Sequence, residues 1–267
     1  MVASLIAGGV LAVRYMSQHH IMNQSQMTPE VIDEMQQLAY SPEINVLVSI
    51  IYGFVGIALF GFWYYKARTH MRHDTFKGYH IAIVPGMMML AVALQFLTEY
   101  ISQVVSIAAP GWVAEYEVIM EQMGVTEEGT PLGLVFYAII LAPIVEELCF
   151  RGLTYSYLRS GMSMWSAIII QAVLFAGFHG NSFQAAYTIV FGLFMGYIYA
   201  KSENIFLTIA LHIGYNLIAV FASQWIYLGS NAISFYCILL TTMVACYIGV
   251  LMVTRSIPQL SSGGNQK

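Results

Sequence analysis

Charge is what this chain has least of. Of its 267 residues only 9% are Asp, Glu, Lys or Arg, against about 25% in a soluble domain. Ten Lys/Arg and fourteen Asp/Glu cannot cover a globule of this length in water. That scarcity excludes an ordinary cytosolic enzyme, and it excludes a disordered chain, which is polar and highly charged. Nucleic acid is excluded as a partner too, because phosphate recognition needs a basic patch. Cysteine is scarce as well. Cys149, Cys237 and Cys246 all fall in apolar runs, and the last two lie roughly 13 Å apart along one helix, too far to bridge. Neither a disulfide framework nor a Cys zinc site fits them. Strand alternation and Asn-Gly hairpin turns are missing too, which argues against an outer-membrane barrel.

What is present is apolar sequence, 58% of the chain. A spanning helix needs roughly 20 mainly apolar residues. The candidates are Met1–Val13, Ile44–Tyr65, Tyr79–Ala108, Leu132 towards Arg159, Met162–His179, Phe183–Ala200, Ile205–Ser223 and Ser234–Thr254. The fold class is therefore all-α, a polytopic membrane helical bundle with about eight transmembrane helices. The first stretch is short; with no clear cleavage site after Arg14 it reads as a short membrane helix rather than a signal peptide. The polar tail Ser261–Lys267 reads as disordered.

Lys and Arg in short loops set the orientation. Lys66, Arg68, Arg72 and Lys77 follow the second span and predict a cytoplasmic loop, and alternation puts Arg159, Lys201, Arg255 and Lys267 on the same side. The opposite segments are acidic, with Glu30, Asp33, Glu34 and Glu43, then Glu115, Glu117, Glu121, Glu127 and Glu128. Both termini are predicted to be cytoplasmic. Arg14 faces the wrong way, and Arg151 falls within a span.

Ionisable groups inside a bilayer are expensive and call for a functional hypothesis. Here they cluster: Glu146, Glu147 and Arg151 in the fourth span, His179 in the fifth, His212 and Asn216 in the seventh. Glu147 and Arg151 are four apart and can pair along one helix face. Glu146 lies about 100° round the helix and is expected to point elsewhere, as a freer carboxylate suited to a general base. His212 and Asn216 share a face, as do Phe175 and His179. Pro143 is expected to kink the helix one turn before Glu146. Each piece has a plainer reading: a packing lock for Glu147–Arg151, an interfacial ring for His179, an interhelical hydrogen bond for Asn216. Their conjunction on three spans favours a site.

The run Glu146-Glu147-x-x-x-Arg151, then Phe175-x-x-x-His179, then His212-x-x-x-Asn216, resembles the CPBP intramembrane proteases, the CAAX-protease and bacteriocin-processing family also called Abi. The stretch Phe191–His212 resembles the family's linker between its second and third motifs. On this division residues 132–221 form a catalytic core. Residues 1–131 carry no readable signature, and 222–267 hold the last helix and tail, all within one membrane domain.

The resemblance implies an intramembrane endopeptidase acting on a membrane-associated peptide or protein. By position, Glu146 and His179 would activate water, and His212 and Asn216 would donate to the developing oxyanion. Glu147, paired with Arg151, would hold the first carboxylate, and Phe175 would be a packing residue. The family has also been described as metalloproteases, and His179, His212 and one Glu could in principle ligate zinc. No His-Glu-x-x-His is present, and a donor role for His212 and Asn216 leaves too few ligands, so metal-free catalysis is favoured. The competing readings are a non-catalytic immunity or partner-stabilising protein and a proton-coupled transporter, the latter disfavoured because no inverted repeat is visible. Short spans suit a bacterial plasma membrane.

Smaller features complete the reading. Gly192-x-x-x-Gly196 is expected to pack helices within the bundle. His70 and His73 read as a solvated basic turn. Gln95 and Glu99 read as an interfacial or packing pair, with a substrate groove as the alternative.

Overall fold

The computed structural model describes residues 15–17, 28–39, 41–67, 78–125 and 129–258. Met1–Val13, Arg68, Arg72, Lys77, the His70–His73 turn, Glu127, Glu128 and the tail Ser261–Lys267 lie outside the described residues. Within them the chain is helical: α1 Pro29–Ala39, α2 Pro42–Ala67, α3 Ile83–Ala108, α4 Pro110–Gln122, α5 Leu132–Gly161, α6 Met164–Phe178, α7 Ser182–Ser202, α8 Ile205–Phe221 and α9 Ala232–Ser256.

Five helices, α2, α3, α5, α7 and α9, are long and apolar enough to cross a membrane. The shorter apolar helices α6 and α8 have 15 and 17 residues, about 22 and 25 Å at 1.5 Å per residue. Each span predicted from Ile44 onward coincides with one of these seven helices. The protein is an all-α bundle integral to a membrane. Its outer helices show apolar side chains outward, Phe54, Leu59 and Phe62 on α2 and Leu240 and Met243 on α9, as a lipid solvent permits.

Helix α3 is central, packed on α7, α8 and α9. It meets α9 closely where Gly249 faces Leu90; a Cβ there would lie 3.0 Å from the Leu90 side chain. Along α2, Gly53 and Gly56 admit Leu141 and Val145 of α5, whose atoms would stand within 2.9 Å of an added Cβ. Without a hydrophobic drive between helices in lipid, such small-residue seams let backbones approach and gain dispersion contacts. Gly192 and Gly196 do the same between α7 and α6, within the bundle as predicted. There Gln171 Nε2 donates to the Gly192 carbonyl at 2.8 Å.

Short connections are fixed by capping side chains: Ser163, Asn181, Asn204 and Asn231 each accept a first-turn N–H of the helix that follows. One end of the bundle gathers Lys66, Arg159 and Glu203 around a common pocket. At the other end Asn45 Nδ2 donates to the Gln122 carbonyl at 2.7 Å, and Tyr100 donates to the Phe235 carbonyl.

Two departures from expectation bear on the site. The acidic segment after α3 is a helix, α4, opened by Pro110 at its first turn. Its mixed polarity hides it from hydropathy, although proline at that position is an ordinary helix-start signal. The second concerns Pro143. Helix α5 does not break there; it runs on as alternating segments, α-helical at Leu132–Phe136 and Ala142–Glu146, and π-helical at Tyr137–Leu141 and Glu147–Tyr155. The wide turn gives the proline room: Ala142 N–H bonds the Tyr137 carbonyl, five residues back. Such widened turns recur at functional sites.

Candidate active site

The widened turn leaves one carbonyl exposed. Ala142 bypasses Ala138, and Pro143, five residues beyond it, has no N–H to give. The Ala138 carbonyl is filled from another helix, by Asn216 Nδ2 of α8 at 2.7 Å. Asn216 therefore makes the interhelical hydrogen bond of the plainer reading, and it also lines the cavity described below.

The second π-helical stretch begins at Glu147 and alters the expected division of the carboxylates. A π-turn holds about 4.4 residues, so neighbours diverge by roughly 80° rather than the 100° of an α-helix. Both carboxylates face the same imidazole. His212 Nδ1 donates to Glu147 Oε1 at 2.8 Å, and His212 Nε2 lies 3.7 Å from Glu146 Oε2. The expectation that Glu146 points away from its neighbour is thus corrected. Its other half stands: Glu147 Oε1 also accepts from Arg151 Nη1 at 2.8 Å, with both side chains fully buried. Glu146 makes no hydrogen bond among the described residues and faces the cavity.

Arg151 is held on two sides. Its guanidinium carbon sits 4.5 Å from the centre of the Phe175 ring, a cation–π contact that gains from being dry. Phe175 is buried at the hub of the site, its ring 4.9 Å from His179 and 6.2 Å from His212. It packs, as expected, but it also supports a charge, and its carbonyl accepts from His179 Nδ1 at 2.9 Å. That bond fixes the His179 tautomer and leaves Nε2 as an acceptor. Glu147 Oε2 and Arg151 Nε and Nη2 are buried with no hydrogen-bond partner among the described residues.

Counting from the predicted membrane edge puts His179 roughly 14 Å deeper than His212. The structure reduces this to one turn. Ile168 of α6 and Ile205 of α8 sit in the same buried cluster, and seven residues on from each lie Phe175 and His212, whose rings are in contact. His179 is one turn further, in the turn after α6, where Gly180 takes φ +73° and Asn181 starts α7.

Glu146, His179, His212 and Asn216 line one cavity of about 790 Å³. It extends from them towards α4, where Tyr116 and Met120 line it and Tyr116 rests on Phe183, rings 5.2 Å apart. Gln95 and Glu99 also line it, which favours the groove reading of that pair over the interfacial one. Sequence reasoning missed Phe191, Tyr215 and Tyr116. Phe191 lies 4.8 Å from His212, ring to ring, and nothing in an isolated aromatic residue signals such a neighbour. No three His, Cys, Asp or Glu side chains among the described residues converge as a metal-ligating set. His212 has Nδ1 committed to Glu147, and His179 has Nδ1 committed to a carbonyl. Both Nε2 atoms are left free, as they also are in metal-ligating histidines, but the third ligand a catalytic zinc needs is not gathered with them among the described residues.

Residues 128–218 match the family described as type II CAAX prenyl endopeptidase Rce1-like. The match covers the motif-bearing helices α5 to α8 and agrees with the CPBP resemblance. It supports a CAAX-type protease of the membrane. No curated protein and no solved structure matches the chain.

Proposed function

We propose that the protein is an intramembrane endopeptidase that hydrolyses a peptide bond of a membrane-associated peptide or protein with water activated by Glu146 and His179. The observation that carries this is the convergence of Glu146, His179, His212 and Asn216 on one cavity. In this scheme a water donates one hydrogen to Glu146 and the other to His179 Nε2, the imidazole nitrogen left free by the Phe175 carbonyl. Glu146 takes the first proton as the water oxygen attacks the scissile carbonyl carbon. The resulting oxyanion accepts from Asn216 Nδ2, whose second hydrogen is not used by Ala138, and from a protonated His212 Nε2. Glu146 returns the proton to the departing nitrogen, and the C–N bond breaks as the oxyanion collapses to a carbonyl. The remaining hydroxyl proton passes to His179 Nε2 and on to solvent, so that a carboxylate and an amine leave. Glu147 is a positioning residue: it orients His212, and Arg151 orients Glu147. Residues 132–221 are the catalytic core in this reading, and catalysis is metal-independent.

The basic ends of α2 and α5 meet at one pocket, which supports placing that end, and both termini, on the cytoplasmic side of a bacterial plasma membrane. The test compares membranes carrying wild-type protein or Glu146→Gln by proteomics, then repeats cleavage of any accumulated partner with purified protein. Uncleaved partners should accumulate only in the variant. Undiminished cleavage by Glu146→Gln would favour the non-catalytic immunity or partner-stabilising role. Stoichiometric zinc, with activity lost to a chelator and restored by zinc, would overturn metal independence.

A further inference from the structure

The cavity has a second polar wall, apart from the four groups assigned to hydrolysis. Gln95, Thr98, Glu99, Ser102, Gln103 and Ser106 all line it. They recur at i, i+3, i+4, i+7, i+8 and i+11, one stripe along α3 of roughly 16 Å. The face of α3 that packs on α9 carries Gly86 and Leu90 instead. A polar stripe on a membrane-spanning helix is costly unless it finds partners. Thr98 has them, in the Leu94 carbonyl at 2.9 Å and the Tyr215 hydroxyl at 2.8 Å. Gln95 does not: the residue is only 7% exposed, and its Oε1 has no hydrogen-bond partner among the described residues. An unpaired buried amide on a residue that lines the cavity points to a ligand that supplies the donor once the side chain turns towards it.

Charge narrows the ligand. Among the described residues the cavity is lined by the carboxylates Glu99 and Glu146 and by no Lys or Arg, and its two histidines, His179 and His212, belong to the hydrolytic wall. Exposed Glu115, Glu117 and Glu121 flank the lining residues Tyr116 and Met120 on α4. On the Gln95–Glu99 wall Glu99 is the charged group, and a carboxylate in a low-dielectric cleft concentrates the opposite charge. An acidic side chain would meet two carboxylates, and a purely apolar one would leave Gln95 Oε1 unpaired.

Resting on the hydrolytic reading above, we propose that the Gln95–Glu99 wall is a substrate subsite selecting peptides with a Lys or Arg side chain near the scissile bond. Glu99 pairs with the cation, and the Gln95 amide pairs with the peptide backbone.

The test uses the full-length protein in lipid nanodiscs and fluorescent peptides identical except for Lys, Gln or Glu at each position in turn. Binding is read by anisotropy on the Glu146→Gln protein, and cleavage is read separately on the wild type. At one or two adjacent positions the Lys peptides should bind about tenfold tighter than the Glu peptides. Adding Glu99→Gln should remove that preference and adding Glu99→Lys should reverse it, in protein that elutes as folded. Gln95→Leu should weaken all peptides alike. No Lys preference at any position, or one that persists in the Glu99→Lys background, overturns the subsite. Lys preference and reversal without any wild-type cleavage would keep the subsite and sink the protease. Cleavage blind to charge would do the opposite.

Discussion

Replacing Glu147 by Gln keeps the side chain's shape and removes its charge. In the native protein Glu147 Oε1 accepts from both Arg151 Nη1 and His212 Nδ1 at 2.8 Å, and neither Glu147 nor Arg151 reaches solvent. Isolating one member of a buried pair costs about 3–5 kcal/mol, because the remaining charge is left unbalanced. For a chain of this size the melting temperature should fall by on the order of 10 °C. The companion variant Glu147→Gln/Arg151→Met removes both charges. Its unbranched Met can lie on the Phe175 ring where the guanidinium now sits. Stability should return to within about 2 kcal/mol of wild type. Peptide cleavage should not return, because His212 Nδ1 has lost the ionised acceptor that orients its ring. Tryptophan-fluorescence melts in nanodiscs and a cleavage assay on the same preparations separate the two effects. A single variant that melts like wild type would refute the buried-pair argument. A double variant with wild-type turnover would refute the positioning role of Glu147.

Glu146→Gln should abolish cleavage while shifting stability by less than about 1 kcal/mol, since Glu146 makes no hydrogen bond that folding depends on; a large drop in melting temperature would contradict this. Asn216→Ala should cost about 1 kcal/mol through the lost bond to Ala138. In a Pro143→Ala background the restored N–H can serve that carbonyl, so a double-mutant cycle should show a smaller penalty; strict additivity would disprove the link. Gly196→Ala puts a Cβ 2.4 Å from Gln171 Nε2 and should destabilise by about 1–3 kcal/mol. Gly177→Ala meets nothing within 4 Å and should leave the melt unchanged or raise it, so equal effects at the two positions would be evidence against the packing described.

Much of this architecture is readable in one dimension because bilayer thickness imposes a length on apolar runs. Ile44–Tyr65 and Ser234–Thr254 fall inside α2 and α9 for that reason. The Glu147–Arg151 pair was legible because its partners are local, four residues apart on one helix. The convergence of both glutamates on His212 was not, since it depends on the widened helix and on a contact across 65 residues. No periodicity announces a π-turn; a proline flanked by apolar residues reads as a kink. Helix α4 was missed because it spans nothing, and its exposed Glu115, Glu117 and Glu121 read as a loop. Gln95 and Glu99 carried a detectable signal, two polar residues at i and i+4 in an apolar span, but which neighbour they face is a property of packing.

The Glu147–Arg151 pair also bears on how the protein enters its membrane. A lone carboxylate or guanidinium at the centre of a helix raises the free energy of insertion by about 2.5–3.5 kcal/mol on the translocon scale. His212 is made 65 residues after Glu147, too late to help α5 leave the translocon. Arg151 is already there, one turn along the same helix. The two charges can pass into the lipid as a nearly neutral unit, leaving Glu146 as the one carboxylate of α5 without a partner on its own helix. Chain order thus lets α5 settle first and wait, with its Ala138 carbonyl and its carboxylates open, for α8 to arrive and complete the constellation.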